Sequence, residues 1–148
     1  MKVLLINGSP HEKGCTYTAL SLIAKELNAG GIDTEILHVG GQPVGGCIGC
    51  GGCRKGEGCV FGGVVNEAIE KAKTADGFVF GSPVHYASAT GNMTSFMDRL
   101  AYAGGRYLAY KPAAICCSAR RAGTTTTLDQ LVKYPQFFHM PLVNGSYW

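Results

Sequence analysis

The sequence predicts a doubly wound α/β domain, with five parallel strands in the order 2-1-3-4-5 and helices on both faces. Three observations carry this. Short apolar, β-rich runs alternate along the chain with stretches of helical periodicity, which implies a parallel sheet with right-handed crossovers. The first run, Val3 to Ile6, breaks into Asn7-Gly8-Ser9-Pro10 and then enters an amphipathic segment, the mark of a strand, a loop and a helix N-terminus. The 148 residues suit one domain, residues 1–148, large enough to bury roughly two thirds of its unfolded surface.

The remaining elements follow in order. Thr16 to Leu27 sets Ala19, Leu20, Ile23, Ala24 and Leu27 on one stripe and stops at Gly30-Gly31, so it is a helix with a glycine stop. Thr34 to Val39 alternates as a strand, and Val64 to Lys73 returns to helical spacing. Gly77 to Gly81 is an apolar run short enough for a buried strand. Gly91 to Ala103 reads as a third helix, Pro112 to Cys117 as a fourth strand and Thr124 to Lys133 as a fourth helix that opens on threonines. Phe137 to Val143 offers a fifth strand, with Pro141 restricting where it begins. This is the flavodoxin-like arrangement, whose crevice lies between the C-terminal ends of strands one and three. Such a sheet normally carries a final helix on the face of the first. With the sequence ending at Trp148, the expectation is a longer natural polypeptide, or a partner subunit, covering the apolar surface left over.

Charge and composition exclude several classes. A net charge of +3 with no basic run or basic helical face argues against nucleic acid. No apolar segment approaches the ~18 residues of a membrane span, and the N-terminus enters a strand without a secretory signal. A cytoplasmic protein is expected. Seven cysteines then point to thiols or metal more than to disulfides. Cys116 and Cys117 lie inside an apolar run, where cysteine behaves as a small core hydrophobe.

The turn from Ile6 to Thr16 is built for an anion. Free backbone N–H groups and the positive end of the helix dipole converge there, Ser9, Thr16 and Cys15 can add donors, and Gly8 and Gly14 allow close approach. Gly14 is followed by Cys15, not by the Lys of a nucleotide-cleaving loop. The dinucleotide pattern G-x-G-x-x-G is absent. No Arg precedes Arg54, as a cysteine phosphatase would want, and no paired acids stand at Asn7 and Gly8, as a response regulator would want. What remains is a phosphate held without being cleaved, as in a flavin mononucleotide site. Ordinary capping and turn chemistry is the alternative account of the same residues.

Gly40 to Gly63 holds 11 of the 22 glycines and the motif Cys47-x2-Cys50-x2-Cys53-x5-Cys59. Glycine at this density supports neither helix nor sheet, but lets a chain wrap closely around something small. The spacing suits a 4Fe–4S cluster, although the x5 gap and Val60 after the last cysteine depart from the ferredoxin run. Structural zinc and metal-free redox thiols stay open. The loop Gly81 to Asn92 carries no acid, and Arg120 and Arg121 follow the fourth strand. Neutral and basic surroundings stabilise the negative charge of a fully reduced flavin, which favours two-electron chemistry. His85 reads as a solvated loop residue.

Gly8-Ser9-Pro10 with Gly14 and Thr16, the cysteine motif, Ser82-Pro83-Val84-x-Tyr86 with Gly91, and Phe96-Met97-Asp98-Arg99 together resemble the NADPH-dependent FMN reductase family, and within it the iron–sulfur flavoprotein branch and its cluster-free relatives. The resemblance implies FMN, with its phosphate on Ser9, His11, Gly14, Cys15 and Thr16 and its ring and ribityl chain on Pro83, Val84, Tyr86, Ala87 and Ser88. Ser118 and Arg121, after the fourth strand, complete the binding set, and Cys47, Cys50, Cys53 and Cys59 are the metal candidates. The family usually has Asn or Ser where Cys15 stands. The implied activity is hydride transfer from NADPH or NADH to the flavin and on to a small-molecule or protein acceptor, with no catalytic side chain required. A homodimer or homotetramer is expected. An iron–sulfur flavoprotein electron carrier fed by a ferredoxin and a thiol redox-sensing module are the rival readings.

Overall fold

A computed structural model describes residues 1–56 and 58–145. Its elements are β1 (Lys2–Asn7), α1 (Cys15–Ala29), β2 (Asp33–His38), a 3-10 turn (Gly52–Arg54), α2 (Val64–Thr74), β3 (Gly77–His85), β4 (Ser88–Ala89), α3 (Gly91–Gly104), a second 3-10 turn (Gly105–Tyr107), β5 (Ala113–Ser118) and α4 (Thr124–Phe137). The parallel sheet runs β2-β1-β3-β5, and the two-residue β4 folds back antiparallel on β3 as a hairpin. This is the flavodoxin-like order expected of the sequence.

Strand alternation divides the core into two layers. Leu4 and Ile6 of β1 and Phe78 and Phe80 of β3 face α2, α3 and α4, where they meet Val65, Ile69, Phe96, Leu100 and Leu131. Leu5 and Val79 face the other way, against Leu20 and Ala24 of α1. Ala114 and Cys116 of β5 are partly buried on the α1 side. Desolvation there, helped by neighbouring Cys117, pushes the Cys116 thiol up to about 11, consistent with a packing residue. No helix among the described residues is long and apolar enough to cross a membrane.

The C-terminal end differs from expectation. The helix expected to end at Lys133 runs on to Phe137, the residue expected to begin the fifth strand, because Leu131 and Pro135 keep the helical i, i+4 spacing and are both buried. The Tyr134 hydroxyl also donates to Asp98 Oδ1 at 2.6 Å, tying that last turn to α3. The fifth-strand pairing survives at one parallel bridge, Ala113 with Leu142. Ala113 N–H donates to Pro141 O at 2.9 Å and Val143 N–H to Ala113 O at 2.8 Å. Trp148 lies outside the described residues. The threonines that open α4 act by bonding back: Thr127 Oγ1 donates to Gly123 O at 2.8 Å. Gly123 itself has φ +92, and a Cβ there would sit 2.6 Å from Ala87 Cα.

One knot sets the position of the loops above the sheet. Gly8 N–H donates to Gly81 O at 2.8 Å, and Thr90 Oγ1–H donates to Gly8 O at 2.8 Å. The same Thr90 oxygen caps α3 by accepting from Met93 N–H at 3.2 Å. A side chain at position 8 would collide with Met93, whose sulfur lies 2.7 Å from where its Cβ would be. Thr90→Val removes a helix cap and leaves the Gly8 carbonyl unpaired, so it should cost about 2 kcal/mol. Urea unfolding checks this, and a loss below about 0.5 kcal/mol would show that the knot contributes little.

Candidate functional site

The β1–α1 loop is braced from beneath by polar side chains. Asn7, fully buried at the end of β1, accepts from Ser9 N–H on Oδ1 at 3.1 Å and donates from Nδ2 to Glu12 O at 3.0 Å. Ser9 Oγ accepts from His11 N–H at 3.1 Å. His38 Nε2 lies 2.7 Å from Ser9 O, and since a carbonyl only accepts, that ring nitrogen carries the proton. Gly40 passes directly under the loop, where a Cβ would fall 2.1 Å from Ser9 O.

The loop delivers α1 with its first turn open. Gly14 is the N-cap, no side chain caps the turn, and no acidic residue occupies it. Its leading N–H groups and the dipole's positive end therefore favour an anion. Thr16 Oγ1 and Ser118 Oγ lie 2.8 Å apart. Two hydroxyls share one proton in that bond, which leaves one O–H of the pair able to donate to a ligand.

A crevice of about 390 Å³ opens here, at the C-terminal ends of β1, β3 and β5. Of the residues singled out in the sequence, Ser9, His11, Gly14, Cys15, Thr16, Pro83, Val84 and Ser118 line it. Pro10, His85, Ala119 and Arg120 complete the walls. His11, His85 and Arg120 bring basic groups, and no acid is among the lining residues. His85, read from the sequence as a solvated loop residue, is both exposed and part of the wall.

Four candidates stand elsewhere. Tyr86 and Ala87 form the hairpin tip between β3 and β4 with left-handed backbone, φ +50 and +59, and Tyr86 is fully exposed. Non-glycine residues there store about 1–3 kcal/mol each and persist only where their surroundings impose the conformation. Thr126 Oγ1 does so by donating to Ala87 O at 2.7 Å. Ser88 Oγ donates to Gln130 Oε1 at 2.8 Å, which also accepts from Ala89 N–H at 2.9 Å. Arg121 lies outside the walls that its neighbour Arg120 joins. Asn7, His38 and Gln130 are positioning residues the sequence reading missed. An Asn before Gly-Ser at a strand end signals the first of these; no local pattern signals the other two.

The cysteine loop makes a second cavity, of about 210 Å³, into which Cys47, Cys50, Cys53 and Cys59 all face together with Phe61, Arg99 and Tyr102. All seven cysteines are free thiols. Gly49 and Gly51 alternate with the first cysteines in left-handed backbone, φ +66 and +70, which only glycine adopts without strain. Asn66 fixes Cys59 by accepting from its N–H at 2.7 Å and donating to its carbonyl at 3.0 Å. At the loop's start, Asn92 of α3 accepts from Val44 N–H at 3.1 Å and donates to Gly40 O and Gln42 O. Among the described residues, no group of three or more His, Cys, Asp or Glu side chains is placed to hold a metal ion. The thiols ring a cavity instead of meeting at one point.

Comparison with known proteins agrees with this architecture. The family model of the NADPH-dependent FMN reductases matches residues 1–148. An iron–sulfur flavoprotein of Methanocaldococcus jannaschii is 37% identical over 103 residues, covering 67% of this chain and 51% of that protein. One from Clostridioides difficile is 34% identical over 115 residues, covering 76% of this chain and 51% of its own length. The chain thus spans about half the length of these curated relatives. Among solved structures, an apo NADH:FMN oxidoreductase superposes with a TM-score of 0.71 at 22% identity, over 97% of this chain and 72% of that one. A flavodoxin from the domain Archaea gives 0.67 at 14% identity, over 98% and 80%. At such identities the likeness speaks for the fold. The motifs of the sequence, the parallel sheet with its crevice and the match along the whole chain converge on one assignment: the chain belongs to the NADPH-dependent FMN reductase family.

Proposed function

We propose that this chain binds FMN in the crevice above β1 and β3 and acts as an NAD(P)H oxidoreductase, passing electrons to a small-molecule or protein acceptor. The observation that carries the reading is the uncapped first turn of α1, set beside Ser9 and the Thr16–Ser118 pair in a crevice without acids. Those groups fit a phosphate monoester. Ser9 Oγ already accepts from His11, so its own proton is available to the ligand. Pro83 and Val84 offer an apolar wall for a flat ring. FMN, when bound, supplies the hydride-accepting centre, and no side chain needs to act as acid or base for that transfer. His85 and Arg120 place positive or neutral surroundings where reduction adds negative charge.

The cysteine cavity favours a second element of the same reading. Four thiols around one space fit a 4Fe–4S cluster, in which each sulfur has its own iron, better than one zinc with four sulfurs at about 2.3 Å from a common centre. Cys47, Cys50, Cys53 and Cys59 would hold it, and it would add one-electron storage to the two-electron chemistry of the flavin. The iron–sulfur flavoproteins among the relatives support this. A cytoplasmic homodimer or homotetramer, with neither nucleic acid nor membrane as partner, completes the proposal.

Two measurements test it. A hydrogen bond to a charged partner contributes about 1.5–3 kcal/mol. Ser9→Ala combined with Thr16→Val should therefore weaken FMN binding at least about a hundredfold, read from quenching of flavin fluorescence, and an unchanged Kd would refute the phosphate assignment. In a separate anaerobic experiment, NADPH or NADH should bleach the visible absorbance of the FMN-loaded protein. If only a reduced ferredoxin does so, the protein is an electron carrier and the reductase reading fails.

A further inference from the structure

We propose that Arg99 is a positioning residue of the cysteine site: it clamps both ends of the loop and holds its positive charge against the sulfur of Cys59. The inference rests on the cluster reading for its electrostatic half and on hydrogen bonding alone for the other. Arg99 lies on α3 with only 7% of its surface exposed, an unusual place for a guanidinium unless it has specific work among its neighbours. Its Nε–H donates to Cys59 Sγ at 3.3 Å. One terminal nitrogen donates to Gly62 O at 3.0 Å and the other, at 3.4 Å, to Gly45 O. The Phe61 ring covers the group, its centroid 5.7 Å from Cζ.

Gly45 and Gly62 flank the four-cysteine motif, so one planar fork ties the entry and exit of the loop to a single point on a rigid helix. Lysine has one donor centre and cannot serve three separated acceptors, whereas arginine has the geometry to do so. Among the described residues the loop's own backbone bonding is limited to the short turn at Gly52–Arg54 and a bond from Gly62 N–H to Cys59 O; this clamp and the Asn66 and Asn92 bonds add ties to the rest of the fold. The charge has a second effect. Net charge and hydrogen bonds to sulfur set the reduction potential of a thiolate-bound cluster. A desolvated cation in contact with one ligand sulfur favours the form carrying one more electron, and so raises the potential.

The test compares the whole chain with Arg99→Gln and Arg99→Lys. In metal-free protein, hydrogen exchange followed by mass spectrometry should show at least tenfold faster exchange across the cysteine loop in R99Q, while the β1 and β3 peptides stay as protected as in the wild type. After anaerobic loading with iron and sulfide, a dithionite titration followed by electron paramagnetic resonance should place the R99Q midpoint below the wild-type value, with R99K between. Equal loop exchange in all three proteins, or equal midpoints at equal iron content, overturns the proposal. Should R99Q fail to fold, R99K decides by the same readouts, with faster loop exchange and a lowered midpoint expected. A wild-type protein that takes up no iron defeats the cluster reading alone, and the exchange comparison then decides the role of Arg99.

Discussion

Gly8 spends both of its backbone groups on distant partners, its N–H on Gly81 O and its C=O on the Thr90 hydroxyl, and the rest of the site depends on that pair of bonds. They fix the bend at which β1 turns toward α1, and so fix where the open helix terminus points. Thr90 at the same time caps α3. That helix then carries Asn92, which holds the start of the cysteine loop, and Arg99, which reaches Cys59. Crevice and cysteine cavity are thus two ends of one construction, with α3 as the shared rail.

Physical economy explains the composition around the bend. Position 8 has no room for a Cβ because Met93 fills it, and position 40 none because Ser9 O lies over it. At position 40 backbone passes directly against the backbone of the bend, which helps bring N–H groups close enough together to surround an anion. The walls hold histidine and arginine and no acid. Tyr86 and Ala87 share left-handed backbone with Tyr110 and His139 elsewhere in the chain, and at this tip bonds with Thr126 and Gln130 of α4 hold the hairpin in place.

Most of the architecture was legible because it rests on local periodicity. Leu20 and Ala24 on one helical stripe, and the short apolar run Val3 to Ile6 of β1, needed no tertiary information to be read, whereas the division of Leu4 and Ile6 from Leu5 between the two faces came from the structure. The fifth strand was legible as to place but not as to extent, since α4 runs on to Phe137 with Pro135 buried one helical turn beyond Leu131. In the crevice, residues adjacent to the bend were readable from turn chemistry. His38 was not, because its partner Ser9 is 29 positions away in sequence. Gln130 was not either, since it reaches β4 across 41 residues. Arg99 could be seen as part of a motif but not as a neighbour of Cys59, 40 residues before it. What sequence reading loses is consistently the side chain that acts at long range.

The central claim is that the opening bend grips the phosphate of a mononucleotide, with the flavin ring resting beyond it. The most direct measurement is a calorimetric comparison of FMN with riboflavin, which differ by that phosphate alone. The account predicts that riboflavin binds at least about a hundredfold more weakly, a difference of about 2.7 kcal/mol. Equal affinities, or no heat with either compound, would contradict it.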